Sequence, residues 1–230
     1  MNFKRGAIPS SRHRLAAAMP HAATSPTPSQ WLWKPVSLSM WGNDVNGDCV
    51  TAEEAFAKGC LPGVFITDKL VISWARKNGV LNGADLTQVM DLMRTGGFVE
   101  SIGTMDDGPP QSVDWTSPAI LQNAIAQGPV KIGIAADQLQ PVVEAHPTSG
   151  WIATGFTKDH NEDHCVSLCG YGPASWLAGQ LGASASGDAP MYALFTWSTI
   201  GLIDPASMVA ITGEAWLRNP TTVIQGRKHK

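Results

Sequence analysis

Residues 162–172, EDHCVSLCGYG, are the stretch from which the rest of the chain is read. An apolar run begins at His164 and closes on Gly-Tyr-Gly, the composition of a strand leaving a polar loop. His164 heads that strand and is rigidly held. His160, in the polar run TKDHNED (157–163), reads as a surface residue. Successive side chains of a strand point to opposite faces, so His164 and Cys165 face apart. Cys165 and Cys169 read as buried free thiols acting as small hydrophobes.

Upstream, SPAILQNAIAQG (117–128) predicts a helix running directly into the strand PVKIGIAA (129–136). Downstream, MYALFTW (191–197) predicts another strand, after an Ala/Gly/Ser-rich insert, SWLAGQLGASASGDAP (175–190), that reads as a flexible surface loop. MVAITGEAWLRN (208–219) reads as a strand or a short helix, which periodicity does not decide. The first half is helical. VTAEEAFAKG (50–59) ends at Gly59 and has Cys49 at its head. ITDKLVISWARKNG (66–79) has a Thr67 or Asp68 cap, and ADLTQVMDLMRTGG (84–97) starts near Asp85. RLAAAM (14–19) offers one or two helical turns without a convincing cap, and AATSPTPSQWLWKP (22–35) suits an extended lead-in over a surface.

These readings predict an α+β chain with four parts: an extended arm over 1–40, a helical subdomain over 41–115, a strand-rich, barrel-like subdomain over 116–226, and a basic tail over 227–230. A helical and a strand-rich half facing each other leave a cleft, a common place for a site. The basic ends, Lys4, Arg5, Arg12 and Arg14 at the start and Arg227, Lys228 and Lys230 at the finish, read as solvated arms.

Hydrophobic residues make up 43% of the 230 and charged ones 15%, a balance that excludes a disordered chain. A net charge of −3 gives no field to attract nucleic acid or anionic lipid. No apolar run reaches the roughly 18 residues of a spanning helix and no signal core is visible, so a cytoplasmic setting with no membrane partner is expected. Cys49, Cys60, Cys165 and Cys169 form no C-x-x-C pair, and no cofactor is implied. A metal site using His160, His164, Cys165 and Cys169 ranks third among the functional readings, because His164 and Cys165 face apart.

Cys49 carries the leading reading. A nucleophilic sulfur must be a thiolate, and a helix N-terminus and a nearby imidazolium both lower a thiol's pKa. WGNDVNGDC (41–49) brings Gly42 and Gly47 to turn the backbone just before the helix, and Asp48 is expected to point outward as a cap. EDHCVSLCGYG resembles the strand of papain-like cysteine peptidases that begins with the catalytic histidine. AIAQGPVKIGIAAD (124–137) is similar to the strand before it, SGWIATG (149–155) to the short stretch between them, and NGDCVTAEEAFA (46–57) to the nucleophile region. The order from Trp41 to Trp197 matches as well. The resemblance implies a papain-like fold, Cys49 as nucleophile, His164 as general base, and a peptide or protein substrate. It also implies an oxyanion donor six residues before the nucleophile, where Asn43 carries the amide. Gly96 and Gly97 are candidates for presenting backbone to an extended peptide, although a helix C-cap is the commoner explanation of such a pair.

Two positions depart from the family. Val50 follows the nucleophile where the family has Trp, and the orienting Asn should fall in ALFTWST (193–199), where Phe195 or Trp197 stands. Neither accepts a hydrogen bond, so a backbone carbonyl, Thr196 or Ser198 orients His164, the pair works alone, or the fold serves as a binding or structural protein without catalysis. Transpeptidation, amide hydrolysis and peptide hydrolysis share this nucleophile chemistry, so the substrate stays open. The lead-in containing SPTPSQWLW is a candidate occupant of the cleft, by its extended character and its two Trp residues.

Overall fold

The computed structural model describes residues 3–101, 103–218 and 222–224. The chain opens with β1 (Ala7–Ile8), α1 (Arg12–Ala17), β2 (Met19–Pro20) and β3 (Trp31–Leu32). Helices α2 (Cys49–Cys60), α3 (Asp68–Lys77) and α4 (Leu86–Gly96) follow, with the short β4 (Ala84–Asp85) between the last two. After β5 (Phe98–Glu100), β6 (Gly103–Asp106) and β7 (Gln111–Ser112), α5 (Pro118–Gln127) leads into β8 (Val130–Ile134). Then come α6 (Leu139–Ala145), β9 (Ile152–Ala153), β10 (His164–Pro173), α7 (Ala174–Gln180), β11 (Pro190–Thr196) and β12 (Thr199–Ile203). The described chain ends with α8 (Pro205–Ile211), β13 (Thr212–Leu217) and β14 (Thr222–Ile224). Among the described residues no helix is long and apolar enough to cross a membrane.

Local chemistry accounts for the helix starts. Thr67 accepts from the Leu70 N–H and Asp85 from the Gln88 N–H, each filling one of a helix's orphan donors. Pro118 stands in the first turn of α5, where its missing N–H costs nothing. Ser11 caps α1 by accepting from Arg14 N–H, so the first four residues of RLAAAM lie in a capped helix, while Met19 already belongs to β2. The insert after β10 was expected to be a loop but begins with α7, whose Ala174, Leu177 and Ala178 are buried. MVAITGEAWLRN divides between α8 and β13: the helix turns at Ile211 and the chain continues as strand.

The sheet runs in the order β2-β7-β13-β8-β10-β11-β12-β9, with β3 also paired to β10, and the described strands do not close into a barrel. β10 is its middle, antiparallel to β8 on one side and β11 on the other. Its two faces divide the core as the pleat requires. Cys165 and Cys169 pack with Trp41, Phe56 and Phe195 against α2, while Val166 and Leu168 pack with Ile132 and Trp151 on the opposite face.

Helix α2 is buried from Cys49 to Gly59 although it carries Glu53, Glu54 and Lys58. Charge can stay there because it is paired. Lys58 Nζ meets Asp107 at 2.6 Å and Glu54 at 3.3 Å, Arg218 pairs with Glu53 and, at 3.2 Å, Glu54, and Lys131 pairs with Glu54 and, at 3.3 Å, Glu53. These three acids and three bases are all buried. The three cations hold the Glu54 carboxyl well below the usual carboxylate range although burial alone would raise it. Lys131→Met should therefore cost about 3–5 kcal/mol in urea unfolding, because it leaves Glu54 buried with less compensation. The double change Lys131→Met, Glu54→Gln should recover part of that loss.

Candidate active site

Cys49 is the first residue of α2, and its helix dipole favours a thiolate. Burial opposes this and wins: the thiol is pushed up to about 12, chiefly by desolvation and further by Asp48, against the N–H groups of Cys165, Gly6 and Ala7 that favour the anion. Asp48 was expected to point outward. It is buried, makes no side-chain cap bond, and its own carboxyl is pushed up to about 8 by burial, with the Asp44 and Asp68 charges adding to the rise. At neutral pH it is largely protonated, which spares Cys49 a full negative neighbour.

The Cys165 N–H beside the sulfur belongs to the residue after His164, so the thiol lies against the start of β10. His164 is buried, with Nε2 at 2.8 Å from Thr196 Oγ1 and Nδ1 without a hydrogen-bond partner. Burial, with the Arg5 guanidinium adding to it, pulls the imidazole down to about 3. The resting pair is thus neutral thiol and neutral imidazole. Of the orienting groups open in the sequence, Thr196 hydroxyl is the one that meets His164. It is fixed from behind: Thr199 Oγ1 donates to Thr196 O at 2.9 Å and itself accepts from Trp151 Nε1 at 2.9 Å.

Thr196 and Thr199 end paired strands, leaving Trp197 and Ser198 as a two-residue hairpin loop with φ of 41° and 59°. Both residues in the left-handed region is the type I′ geometry, normally filled by Asn and Gly. A Trp there is strained, and the strain is offset by stacking: the Trp197 ring lies 4.2 Å from His164, with a 14° interplanar angle, and 4.7 Å from Phe3, with a 15° angle. The imidazole is held flat beneath an indole and hidden from water.

Phe3 begins a segment that the sequence reading placed in solvent. Residues 3–10 instead run across Cys49 and His164, bonded to both halves of the molecule. Lys4 N–H donates to Asn43 O (3.0 Å) and Trp197 Nε1 to Lys4 O (3.1 Å). The Gly6 and Ala7 N–H groups both donate to Asp163 O (3.0 Å), and Ala84 N–H donates to Gly6 O (3.0 Å). β1 pairs with β4 in parallel, Ala7 opposite Ala84, and Ser10 N–H ends on Glu214 Oε1 at 2.9 Å. The Gly6 and Ala7 N–H groups also lie near enough to the Cys49 sulfur to favour its anion, so the segment lies over this thiol.

Other expectations fall differently. The lead-in SPTPSQWLW does not reach this cleft: Trp31 and Leu32 pair with Tyr171 and Gly170 in the sheet, and Trp33 Nε1 donates to Ile125 O. Gly97 N–H bonds Asp106 and Gly96 O accepts from Trp74, and it is Ala84, not this pair, that meets an extended segment. Asn43 is buried in the turn before α2, and its Nδ2 donates to Asn46 O at 3.2 Å. Among the described residues no three His, Cys, Asp or Glu gather as metal ligands, and His160 is exposed. Arg5 is engaged by side chains rather than solvated. Arg227, Lys228 and Lys230 lie outside the described residues. The interior signals that would have exposed the arm in the sequence were Phe3 and Ala7, two apolar residues amid charge.

The raised Asp48 carboxyl makes stability fall with pH. The folded chain holds this proton more tightly than the unfolded chain, so its contribution is complete below pH ~4 and lost as pH rises towards ~8. Asp48→Asn should therefore show a melting temperature above that of the unaltered protein by a margin that widens between pH 5 and pH 8 and then levels. Thermal unfolding at three pH values reads it.

No protein-family model matches the chain, and no curated protein matches it by sequence. Solved structures do. Xylellain, a cysteine protease from Xylella fastidiosa, superimposes with a TM-score of 0.63 at 11% identity over 96% of this chain and 98% of that one. The proform of the ragweed pollen cysteine protease Amb a 11 gives 0.61 at 12% over 90% and 72%. The cysteine protease and lectin-like domains of Cwp84 from Clostridium difficile give 0.61 at 12% over 96% and 57%. With a helix-start cysteine facing the strand that begins with histidine, and helices and sheet arranged as in these proteins, the chain has the papain-like α+β fold.

Proposed function

We propose that the chain is a papain-like cysteine peptidase whose cleft is closed, at rest, by its own residues 3–10. Cys49 is the nucleophile, His164 the acid and base, and Thr196 the group that orients His164. One observation carries the reading: an extended stretch of polypeptide lies over Cys49, hydrogen-bonded through its backbone to Asn43 and Ala84 on one side and Asp163 on the other. A surface that holds one extended segment through backbone groups suits another.

With the arm displaced, water reaches the pair and the burial that discharges both groups is relieved. The proton then passes from sulfur to His164, and the thiolate adds to a carbonyl carbon. The Cys49 N–H at the start of α2 supplies one oxyanion donor, and Asn43 Nδ2 supplies a second once it leaves Asn46 O. Collapse breaks the C–N bond, His164 gives its proton to the departing amine, and water activated by the same imidazole hydrolyses the thioester. The second reading, a papain-fold binding protein without turnover, is favoured by the full burial of Cys49 and His164.

Iodoacetamide separates them. In the unaltered protein Cys49 should alkylate slowly at pH 7. Gly6→Ala, whose added Cβ would sit 1.9 Å from Gly47 O, should unseat the arm and raise that rate at least tenfold. His164→Ala added to it should bring the rate back down, and cleavage of denatured casein should appear with Gly6→Ala and vanish with Cys49→Ser. Fast alkylation without casein cleavage would favour the binding protein, and Cys49 reacting no faster than Cys60 would sink the nucleophile.

A further inference from the structure

Arg5 reaches from the arm into a cluster of polar side chains. Its Nε donates to Gln140 Oε1 at 2.9 Å, and its Nη1 donates to Asp163 Oδ2 at 2.7 Å and to Asp137. Each acceptor except Asp137 is fixed by a bond that has nothing to do with Arg5. Asp163 Oδ1 accepts the Ala136 N–H at 3.0 Å, and Gln140 Nε2 donates to Glu144 at 2.7 Å, which turns its oxygen towards the guanidinium. Two of the three acceptors are therefore held by contacts independent of their occupant, which lowers the cost of ordering them on recognition. Asp163 reads the segment twice, through its carboxylate and through the carbonyl that takes the Gly6 and Ala7 N–H groups. The outer wall is open, since the Asp137 side chain is 69% exposed, so a guanidinium can enter from solvent.

The next position is as selective for the opposite reason. A Cβ on Gly6 would meet Gly47 O at 1.9 Å, a backbone atom that no rotamer change can move. Gly47 in turn has no room for a Cβ, which would lie 2.9 Å from Arg5 O. The two chains approach as backbones.

We propose that Asp137, Asp163 and Gln140 form an arginine subsite of the cleft, next to a position at Gly47 that admits glycine alone, and that the cleft selects extended polypeptide in which arginine and glycine are adjacent. The arm is the built-in occupant of that subsite. The proposal rests on the peptide-cleft reading above but not on turnover. A lysine fits the subsite poorly, because Gln140 is met by Nε and the two carboxylates by Nη1, two nitrogens of a planar fork that a single ammonium nitrogen does not reproduce.

Fluorescence anisotropy on the full chain carrying Gly6→Ala tests this with labelled KRGAIP, its reverse PIAGRK, and the same pair with Arg replaced by Ala or Lys. At least one order should bind ten or more times tighter with Arg than with Ala or Lys, and Asp163→Asn should erase the preference. KRVAIP should not bind. Equal binding of the Arg and Ala peptides in both orders, or no binding by any, overturns the subsite. Iodoacetamide on the same protein reports the nucleophile separately: arginine preference with an inert Cys49 removes the peptidase and leaves the subsite standing. Should Gly6→Ala not fold by circular dichroism, full-chain Arg5→Ala replaces it. There ethylguanidinium, and not ethylammonium, should raise the melting temperature and slow Cys49 alkylation, and equal effects of the two ions overturn the proposal.

Discussion

The pairing of buried charge behind the cleft constrains everything in front of it. Glu53 and Glu54 leave α2 on the side facing the sheet, where water is excluded, and a carboxylate in that position costs several kcal/mol unless a cation meets it. Lys131 on β8 and Arg218 after β13 supply that cation from the sheet, and Lys58, itself paired with Asp107, meets Glu54 from within α2. Lys131 Nζ also donates to Val50 O at 3.2 Å, in the turn that holds Cys49. β8 carries His164 as well, by pairing Ile134 with it across the ladder. One strand thus sets the height of α2 and the register of His164.

The hydroxyl beside His164 differs in kind from an asparagine carbonyl. An asparagine carbonyl only accepts, so it fixes a proton on the facing imidazole nitrogen. Thr196 hydroxyl accepts or donates, and so serves a neutral ring in either tautomer and an imidazolium too. Positional control passes to Trp197, stacked on the ring and forced into the left-handed region by a two-residue turn. The histidine is held mainly by a plane and a strained backbone, with a single hydrogen bond at its edge.

Much of the architecture was legible because it rests on local signals. The caps at Thr67 and Asp85, the Pro118 start and the run from His164 to Gly172 each announce themselves within a few residues. The arm was not legible. Lys4, Arg5, Arg12 and Arg14 look like a solvated end until Asp137 and Asp163, more than 130 positions away, come to meet Arg5. Asp48 likewise reads as a cap from its position, and only the closeness of Gly42 and Ile72, brought in by the turn and by α3, shows that it is enclosed. Of the loop assigned to residues 175–190 only the first part differs, 175–180 being helical, because small residues pack as readily under a sheet as they dissolve in a linker.

The covered sulfur has a consequence for how the protein ages. Oxidation of cysteine to sulfenic and higher acids proceeds through the thiolate and needs peroxide to reach it. With residues 3–10 in place, Cys49 is both buried and protonated, and burial raises the thiols of Cys60, Cys165 and Cys169 as well. In the closed chain every one of these sulfurs is thus protected by burial and by its proton, and the arm displacement proposed above would remove both protections from Cys49 at once.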